Sequence, residues 1–197
     1  MDKKKREKLE QLYWKMTEWF AGDPKRIQHF VKVHSFAELI GKGEQMEEQE
    51  QFVLEGAALV HDIGIRPGEE KYGRCDGKIQ EQEGPAAAEK LLKELEFAPE
   101  EIERITWLVG HHHTYDNIAE RDYQILVEAD FLVNYYEDGI EKDKIQKSCR
   151  KIFRTETGIR LCETMYGVTI KISETWAQDN IREMEEFIES QGIYIRQ

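Results

Sequence analysis

The chain has 197 residues, of which 40 % are hydrophobic, and its formal net charge is −12 at pH 7. This length is enough for one domain with a sizeable core. The negative charge argues against binding of long nucleic acids, which need a basic surface. No apolar run approaches the length of a membrane span, so we expect no membrane attachment.

The cysteines Cys75, Cys149 and Cys162 are scattered along the chain. Their odd number and wide spacing argue against a disulfide framework and against a zinc-finger site. The basic N-terminal residues lead into an amphipathic segment rather than into the apolar core of a signal peptide. We therefore predict a cytoplasmic protein.

The first two predicted helices cover residues 3–20 and about 24–40, where apolar residues recur at helical spacing. Asp23 can cap the second helix, and Pro24 suits its first turn. The inward face of this helix is predicted to carry His34 together with Ile27, Phe30, Val31 and Ala37. A single inward histidine is more often a core residue than a ligand, so His34 needs partners elsewhere to count as a ligand.

The stretch 52–60 is dense in apolar residues and leads directly into His61 and Asp62. This density predicts a helix buried on more than one side, which Gly64 ends. The His-Asp pair is either an ordinary helix end or part of a metal site, because neutral imidazole and carboxylate together suit a divalent ion. Further His and Asp residues on buried helices favour the metal site.

Residues 64–84 contain several glycines and are predicted to form a long loop, which in a compact domain is usually functional or disordered. Its basic side chains could hold a phosphate beside a metal. These candidates are Arg66, Lys71, Arg74 and Lys78. For each of them, the alternative is an incidental charge on a solvated loop. Pro85 is predicted to open the next helix, which runs to Leu95.

The next helix is predicted to begin at Pro99, which is followed by two acids suited to a helix N-terminus. On this helix His112 shares the apolar face, whereas His111 lies over Trp107. The three histidines 111–113 are either a solvated cluster or contacts to metal or phosphate. Their position at the end of an apolar stripe favours contacts to metal or phosphate.

Residues 122–137 are apolar on all sides around Glu128 and Asp130, which predicts a buried helix. A carboxylate buried there needs a partner, either a metal ion or a salt bridge. More helices are predicted at about 140–154, 158–166 and 179–190, followed by a short strand at 193–195. The expected fold class is all-α.

The ordered set of these residues resembles the HD superfamily of metal-dependent phosphohydrolases. The family signature is a histidine on one helix, a His-Asp pair at the end of the next helix, and an aspartate on a later one. The matching residues are His34, His61, Asp62 and Asp130. The resemblance covers about residues 25–155. It implies one HD-type helical bundle over residues 1–197, with flanking terminal helices and the metal site at the centre.

Family members with two metals add a histidine before a Gly-Ala helix start and a His-His pair before an aspartate. Residues 84–86 resemble that helix start, but Gln80 stands at the histidine position, and an amide is a poorer ligand than imidazole. A neighbouring acid such as Glu81 is an alternative oxygen ligand. We therefore expect one tight ion, with His111 and His112 as candidate ligands of a second, weaker ion or as contacts of substrate phosphate.

The resemblance implies a phosphohydrolase that acts on a small phosphorylated compound, with nucleotides among the candidates. The cofactor would be a divalent ion (Mn, Mg, Fe, Co, Ni or Zn) that polarises a phosphoryl oxygen and acidifies a bound water. The expected catalytic residues are Asp62, His112 and Arg66. The expected substrate-binding residues are Lys71, Arg74 and Lys78.

Two alternatives remain open from the sequence. One is an HD-type di-iron oxygenase, which needs a full six-residue ligand set that Gln80 weakens. Bound iron with an oxygen-dependent spectrum would indicate it. The other is a metal-stabilised regulatory module, which would hold metal without hydrolysing any phosphorylated compound.

Overall fold

The computed structural model describes residues 1–116 and 118–170, and the regular elements in this part of the chain are all α-helices. The helices are α1 (Lys3–Trp19), α2 (Pro24–Gly43), α3 (Glu48–Val60), α4 (Ile65–Tyr72), α5 (Gly77–Glu94), α6 (Pro99–Val109), α7 (Arg121–Glu137), α8 (Lys142–Ile152) and α9 (Glu156–Tyr166). The predicted all-α fold is therefore confirmed. None of the described helices combines the length and the apolar character that crossing a bilayer requires. The helix predicted at 179–190 and the strand at 193–195 lie outside the described residues.

Helix α3 is the centre of the core. Every residue from Gln51 to Val60 is buried, and the helix packs against α1, α2, α6 and α7. A helix enclosed in this way delivers its C-terminal residues into the interior, and His61 is accordingly inaccessible to solvent. The predicted burial of this helix on more than one side is confirmed.

Helices α2 and α7 pack against α3 and against each other. As expected, α2 begins at Pro24, and the Asp23 carboxylate accepts a hydrogen bond from the Arg26 N–H at 3.1 Å. Helix α7 is buried over most of its length, including Ile125, Leu132 and Asp130. The three helices α2, α3 and α7 therefore share one interior, where polar side chains from each can meet.

The segment 64–84 is not the long loop that its glycines predicted. It contains α4 and the first part of α5, and Pro85 lies inside α5 instead of opening it. The Asp76 carboxylate caps α5 by accepting a hydrogen bond from the Ile79 N–H at 3.0 Å. Gly84 allows close packing, because a Cβ there would lie 2.6 Å from Val109 Cγ1 of α6. Capping and tertiary packing thus override the weak helix propensity of glycine and proline.

The buried Glu128 carboxylate belongs to the fold rather than to a metal site. It accepts hydrogen bonds from the N–H groups of Arg154 at 2.6 Å and Thr155 at 3.0 Å, and from Gln124 Nε2 at 2.8 Å. These partners replace the water that the carboxylate loses on burial. Glu128 therefore ties the chain segment that enters α9 to helix α7.

Cys149 of α8 and Cys162 of α9 are paired as a disulfide, and both are fully buried. The cysteine pattern argued against a disulfide framework, yet these two residues form one disulfide. The short connection between α8 and α9 brings the two sulfurs together, although they are 13 residues apart in the sequence. Cys75 is a free, partly buried thiol.

Candidate metal centre

Three side chains from three helices converge in the interior. His29 of α2, His61 at the end of α3 and Asp130 of α7 form a group whose ligand-type atoms all lie within 4.8 Å of one another. The Nε2 atom of His29 is 3.2 Å from Nε2 of His61 and 3.2 Å from Oδ1 of Asp130. The distance from His61 Nε2 to Asp130 Oδ1 is 3.7 Å. These atoms surround a point where one ion could contact all three.

Asp62 lies beside this group and also faces a second one. Its Oδ2 atom is 3.5 Å from His29 Nε2 and 3.6 Å from His61 Nε2. Its Oδ1 atom is 3.6 Å from His112 Nε2, and Asp62, His112 and His113 form a second group of ligand-type atoms within 4.8 Å. The two oxygens of one carboxylate therefore serve two neighbouring groups.

Backbone carbonyls fix the orientation of two imidazoles. His61 Nδ1 lies 2.9 Å from the carbonyl oxygen of Ala58, and His112 Nδ1 lies 2.8 Å from that of Val109. Because a carbonyl only accepts, each Nδ1 must carry the proton, and each neutral ring then presents a lone pair at Nε2. His112 Nε2 is buried and has no hydrogen-bond partner. This arrangement is typical of metal-binding histidines.

A carboxylate fixes the third imidazole. His29 Nδ1 donates to Glu137 Oε2 at 3.0 Å, and Glu137 also accepts from Lys32 Nζ. A carboxylate behind a histidine orients the ring and raises its basicity as a ligand. Sequence reasoning missed Glu137, although its position seven residues after Asp130 places both on one face of α7.

The two aspartates are ionised in this interior. Burial alone would raise the pKa of Asp62, but the neighbouring His61, His29 and His112 together lower it. Burial alone would likewise raise the pKa of Asp130, but the hydrogen bond from His29 lowers it. Burial lowers the pKa of His61, which favours the neutral ring. Two carboxylates and a neutral imidazole form a donor set suited to a divalent cation.

His34, the predicted histidine ligand of α2, is not brought to this cluster. Its Nε2 atom lies 3.4 Å from Glu55 Oε2, in a different part of the interior. His29 occupies the position that the sequence analysis gave to His34. Five residues along a helix correspond to a rotation of about 140°, so the two histidines of α2 face different neighbours.

Among the three consecutive histidines, the structure brings His112 and His113 to the site and leaves His111 outside. The His111 ring stacks on Trp107 with a centroid distance of 4.2 Å, and its Nδ1 donates to the Trp107 carbonyl oxygen. His113 Nε2 lies 3.2 Å from Gln80 Oε1. Helix α6 ends at Val109, so helical phase no longer applies to the residues that follow.

Glu81 holds the histidine turn from the neighbouring helix. Its Oε1 atom accepts hydrogen bonds from the His113 N–H at 2.9 Å and from the Thr114 hydroxyl at 3.0 Å. These hydrogen bonds engage the Glu81 carboxylate, which the sequence offered as an alternative oxygen ligand of a second ion. Gly77 also makes room for this turn, because a Cβ there would lie 2.8 Å from His113 Cγ.

The described contacts of three predicted substrate-binding and catalytic cations lie outside the His/Asp cluster. Arg66 donates to the carbonyl oxygen of Trp19 at 3.1 Å and to Glu70 at 3.0 Å. Lys71 is paired with Glu83 at 2.9 Å, and Arg74 with Asp76 at 2.9 Å. Lys78 lies exposed in the first turn of α5. Substrate contacts of these residues remain predictions.

Comparison with known proteins agrees with this geometry. The profile of the HD domain family matches residues 26–153, a range that contains all the converging His and Asp side chains. No curated protein and no solved structure matches the chain. Members of this family are generally metal-dependent hydrolases. The two His/Asp groups beside Asp62 could hold a metal ion. The chain belongs to the HD domain family.

Proposed function

We propose that this protein is a metal-dependent phosphohydrolase that acts on a small phosphorylated compound, with nucleotides as the first class to test. The tight ion would be held by His29, His61, Asp62 and Asp130. The observation that carries the proposal is the convergence of oriented imidazole nitrogens on the ionised Asp62 carboxylate, inside an HD domain.

The residues present fit a divalent ion. The Nε2 atoms of His61 and His112 each lie 3.6 Å from an oxygen of Asp62, so a cation or a proton between nitrogen and oxygen would stabilise both contacts. An ion bound there would polarise a phosphoryl oxygen and acidify its water, as in other metal-assisted hydrolyses. The buried, unpartnered His112 Nε2 is the most direct sign that a positive group belongs in the site.

Asp62 is the ligand best placed to meet substrate. Its side chain is 16 % exposed, whereas that of His61 is fully buried and that of Asp130 is 4 % exposed. Since its pKa is held low, Asp62 is a weak base at neutral pH and is better suited to orient a water molecule than to take its proton. We infer that Asp62 accepts a hydrogen bond from the attacking water and fixes its direction.

We further propose that Asp62, His112 and His113 form a weaker second site. Asp62 is shared with the first site, and His113 contacts Gln80, whose amide oxygen is a poor ligand for a transition metal. This group would hold a second ion at higher metal concentration or contact the substrate phosphate directly. The second ion would place positive charge where negative charge develops during phosphoryl transfer.

The test is a screen of the EDTA-treated full-length protein against nucleotides and small phosphate esters. Each of Mn, Mg, Fe, Co, Ni and Zn is added in turn, and Asp62→Asn serves as the matched control. We expect phosphate release with at least one metal, and none from Asp62→Asn. Metal binding without release from any compound would instead favour the regulatory module. Iron-dependent oxygen consumption would favour the oxygenase.

A further inference from the structure

Both ring nitrogens of His113 have hydrogen-bond partners, although His113 belongs to the group that could hold a second ion. Its Nε2 atom lies 3.2 Å from Gln80 Oε1, and its Nδ1 atom lies 3.3 Å from the hydroxyl oxygen of Tyr115. By contrast, the buried Nε2 atom of His112 has no hydrogen-bond partner. The two neighbouring histidines therefore differ in what they offer to an ion.

No protonation form of His113 leaves a lone pair free while both hydrogen bonds are kept. With the proton on Nε2, the ring donates to Gln80 Oε1, and Nδ1 accepts from the Tyr115 hydroxyl. With the proton on Nδ1, the ring donates to the Tyr115 oxygen, and Nε2 accepts from the Gln80 amide once its nitrogen and oxygen exchange places. A doubly protonated ring donates from both nitrogens. A metal ligand needs a free lone pair, so His113 can bind an ion only by giving up a partner.

Helix α5 holds the Gln80 amide at the centre. A Cβ on Gly64 would lie 2.5 Å from the Gln80 carbonyl oxygen and 3.0 Å from its Cα, so α5 packs directly on the segment that follows Asp62. The Glu81 carboxylate of the same helix accepts a hydrogen bond from the His113 N–H at 2.9 Å. The Gln80 side chain and the His113 ring are therefore held together by more than their own contact.

Tyr115 is anchored on a different helix. Its ring packs edge-on against that of Phe131 at a centroid distance of 5.1 Å, and Phe131 directly follows the candidate ligand Asp130 in α7. Gln80 belongs to α5. Contacts to two separate helices thus fix the two nitrogens of the His113 imidazole.

We propose that Gln80 and Tyr115 are positioning residues that keep His113 out of the metal coordination, so that the centre holds one tight ion. This inference rests on the proposed metal-dependent function. Without His113, the second group offers the His112 Nε2 and Asp62 Oδ1 atoms, which are 3.6 Å apart. Catalytic zinc ions usually have three protein ligands, so two ligands bind a second ion weakly and leave His112 available to the substrate.

Manganese binding by the EDTA-treated full-length protein tests the proposal, because binding does not depend on turnover. Isothermal titration calorimetry gives the dissociation constant of each ion, and electron paramagnetic resonance detects two manganese ions that share a carboxylate by their magnetic coupling. We expect one tight ion and a much weaker second ion in the unmutated protein. Two tight ions there would overturn the proposal. No bound ion at all would overturn the proposed function and this inference with it.

Two variants each release one nitrogen of His113. Gln80→Leu removes the amide beside Nε2, and Tyr115→Phe removes the hydroxyl beside Nδ1. Changes in the hydrogen-bond partners of ligands alter metal affinity about 10- to 100-fold. We therefore expect the second ion to bind at least about tenfold more tightly to one single variant or to the double variant, with a coupled manganese pair in the same samples. Unchanged binding of the second ion by the variants that circular dichroism shows to be folded would contradict the proposal.

Two controls separate this effect from a general loosening of the centre. Gln82→Leu changes an exposed amide of α5 that bonds to Tyr72 and Glu83, and it should bind ions as the unmutated protein does. Adding His113→Ala to the tighter-binding variant should abolish the gain, because the gain needs the released imidazole. If tighter binding persists without His113, another group supplies the ligand and the proposal is wrong.

Discussion

The Nε2 atoms of His29 and His61 lie 3.2 Å apart, although the residues are 32 positions apart in the chain. Asp130 Oδ1 and Asp62 Oδ2 both lie within 3.5 Å of the same His29 atom. This contact places His29, rather than His34, at the heart of the candidate metal centre.

The first prediction compares these two histidines of α2. His29→Ala should lose tightly bound metal, because it removes an imidazole that faces both His61 and Asp130. His34→Ala should keep the metal, since His34 faces Glu55 instead. Elemental analysis after gel filtration in metal-free buffer measures both. The opposite result, with metal lost only from His34→Ala, would restore the ligand set that the sequence indicated.

The error at His34 has a physical cause. Helix α2 is buried on more than one side, because it packs against both α3 and α7. Apolar spacing shows that a histidine points inward, but it does not show which neighbour the histidine meets. His29 precedes the buried Val33 by four residues, so the spacing did contain a signal for it.

Features that depend on apolar periodicity within one helix were predictable from the sequence, whereas features that depend on contacts between helices were not. The burial of His61 and Asp130 was predictable, because His61 directly follows one strongly apolar helix and Asp130 lies within another. The approach of His112 was also expected from the apolar face of α6, whereas that of His113 was not, because the turn follows the end of α6 and is held by Glu81 from another helix. The helix α4 was missed for a related reason: local glycine and proline preferences were overridden by tertiary packing.

The second prediction concerns the number of ions. His112→Ala should retain about one ion per chain while lowering turnover about a hundredfold, the usual cost of removing one group that stabilises charge in a transition state. His111→Gln is the matched control and should leave both quantities unchanged, because His111 stacks on Trp107. Metal content and phosphate release are measured on the same samples. Complete loss of metal from His112→Ala would show that the group of His29, His61 and Asp130 cannot hold an ion without the group that contains His112.

The third prediction concerns Glu137 as a positioning residue. Glu137→Gln should weaken metal affinity about 10- to 100-fold, because the carboxylate orients the His29 ring. Competition with a metal indicator dye gives the affinity, and Glu137→Asp should recover part of it. Glu141→Gln, an exposed change just before α8, is the control. Equal affinities for Glu137→Gln and the control would remove Glu137 from the centre.

The fourth prediction is a pH dependence of the metal-free protein. Burial lowers the pKa of His29, but Asp130, Asp62 and Glu137 outweigh it and raise the pKa to about 10 from 6.5. A raised folded-state pKa stabilises the fold fully below about pH 6.5, and this stabilisation is lost as the pH rises through 10. Urea unfolding of EDTA-treated protein at several pH values should show the decline. It should be smaller in His29→Gln, and an identical decline in that variant would rule out His29 as the source.

The fifth prediction concerns the thiols. Denatured, unreduced protein should show one reactive thiol per chain, and reduction should raise the number to three, because Cys149 and Cys162 are paired. In the folded protein, burial and nearby carboxylates raise the pKa of Cys75 to about 11. Alkylation of Cys75 at pH 8 should therefore be at least about tenfold slower than that of an ordinary thiol. Three reactive thiols without reduction would exclude the disulfide.

The enclosure of α3 has a consequence for how the protein opens. Amide protons of the most enclosed helix exchange with solvent only when the whole domain unfolds, whereas outer helices exchange through smaller, more frequent openings. His61 stands at the end of that helix and Asp62 follows it directly. Fraying of α1, α8 or α9 would therefore leave both side chains in place. The centre would disassemble together with the slowest-exchanging part of the molecule.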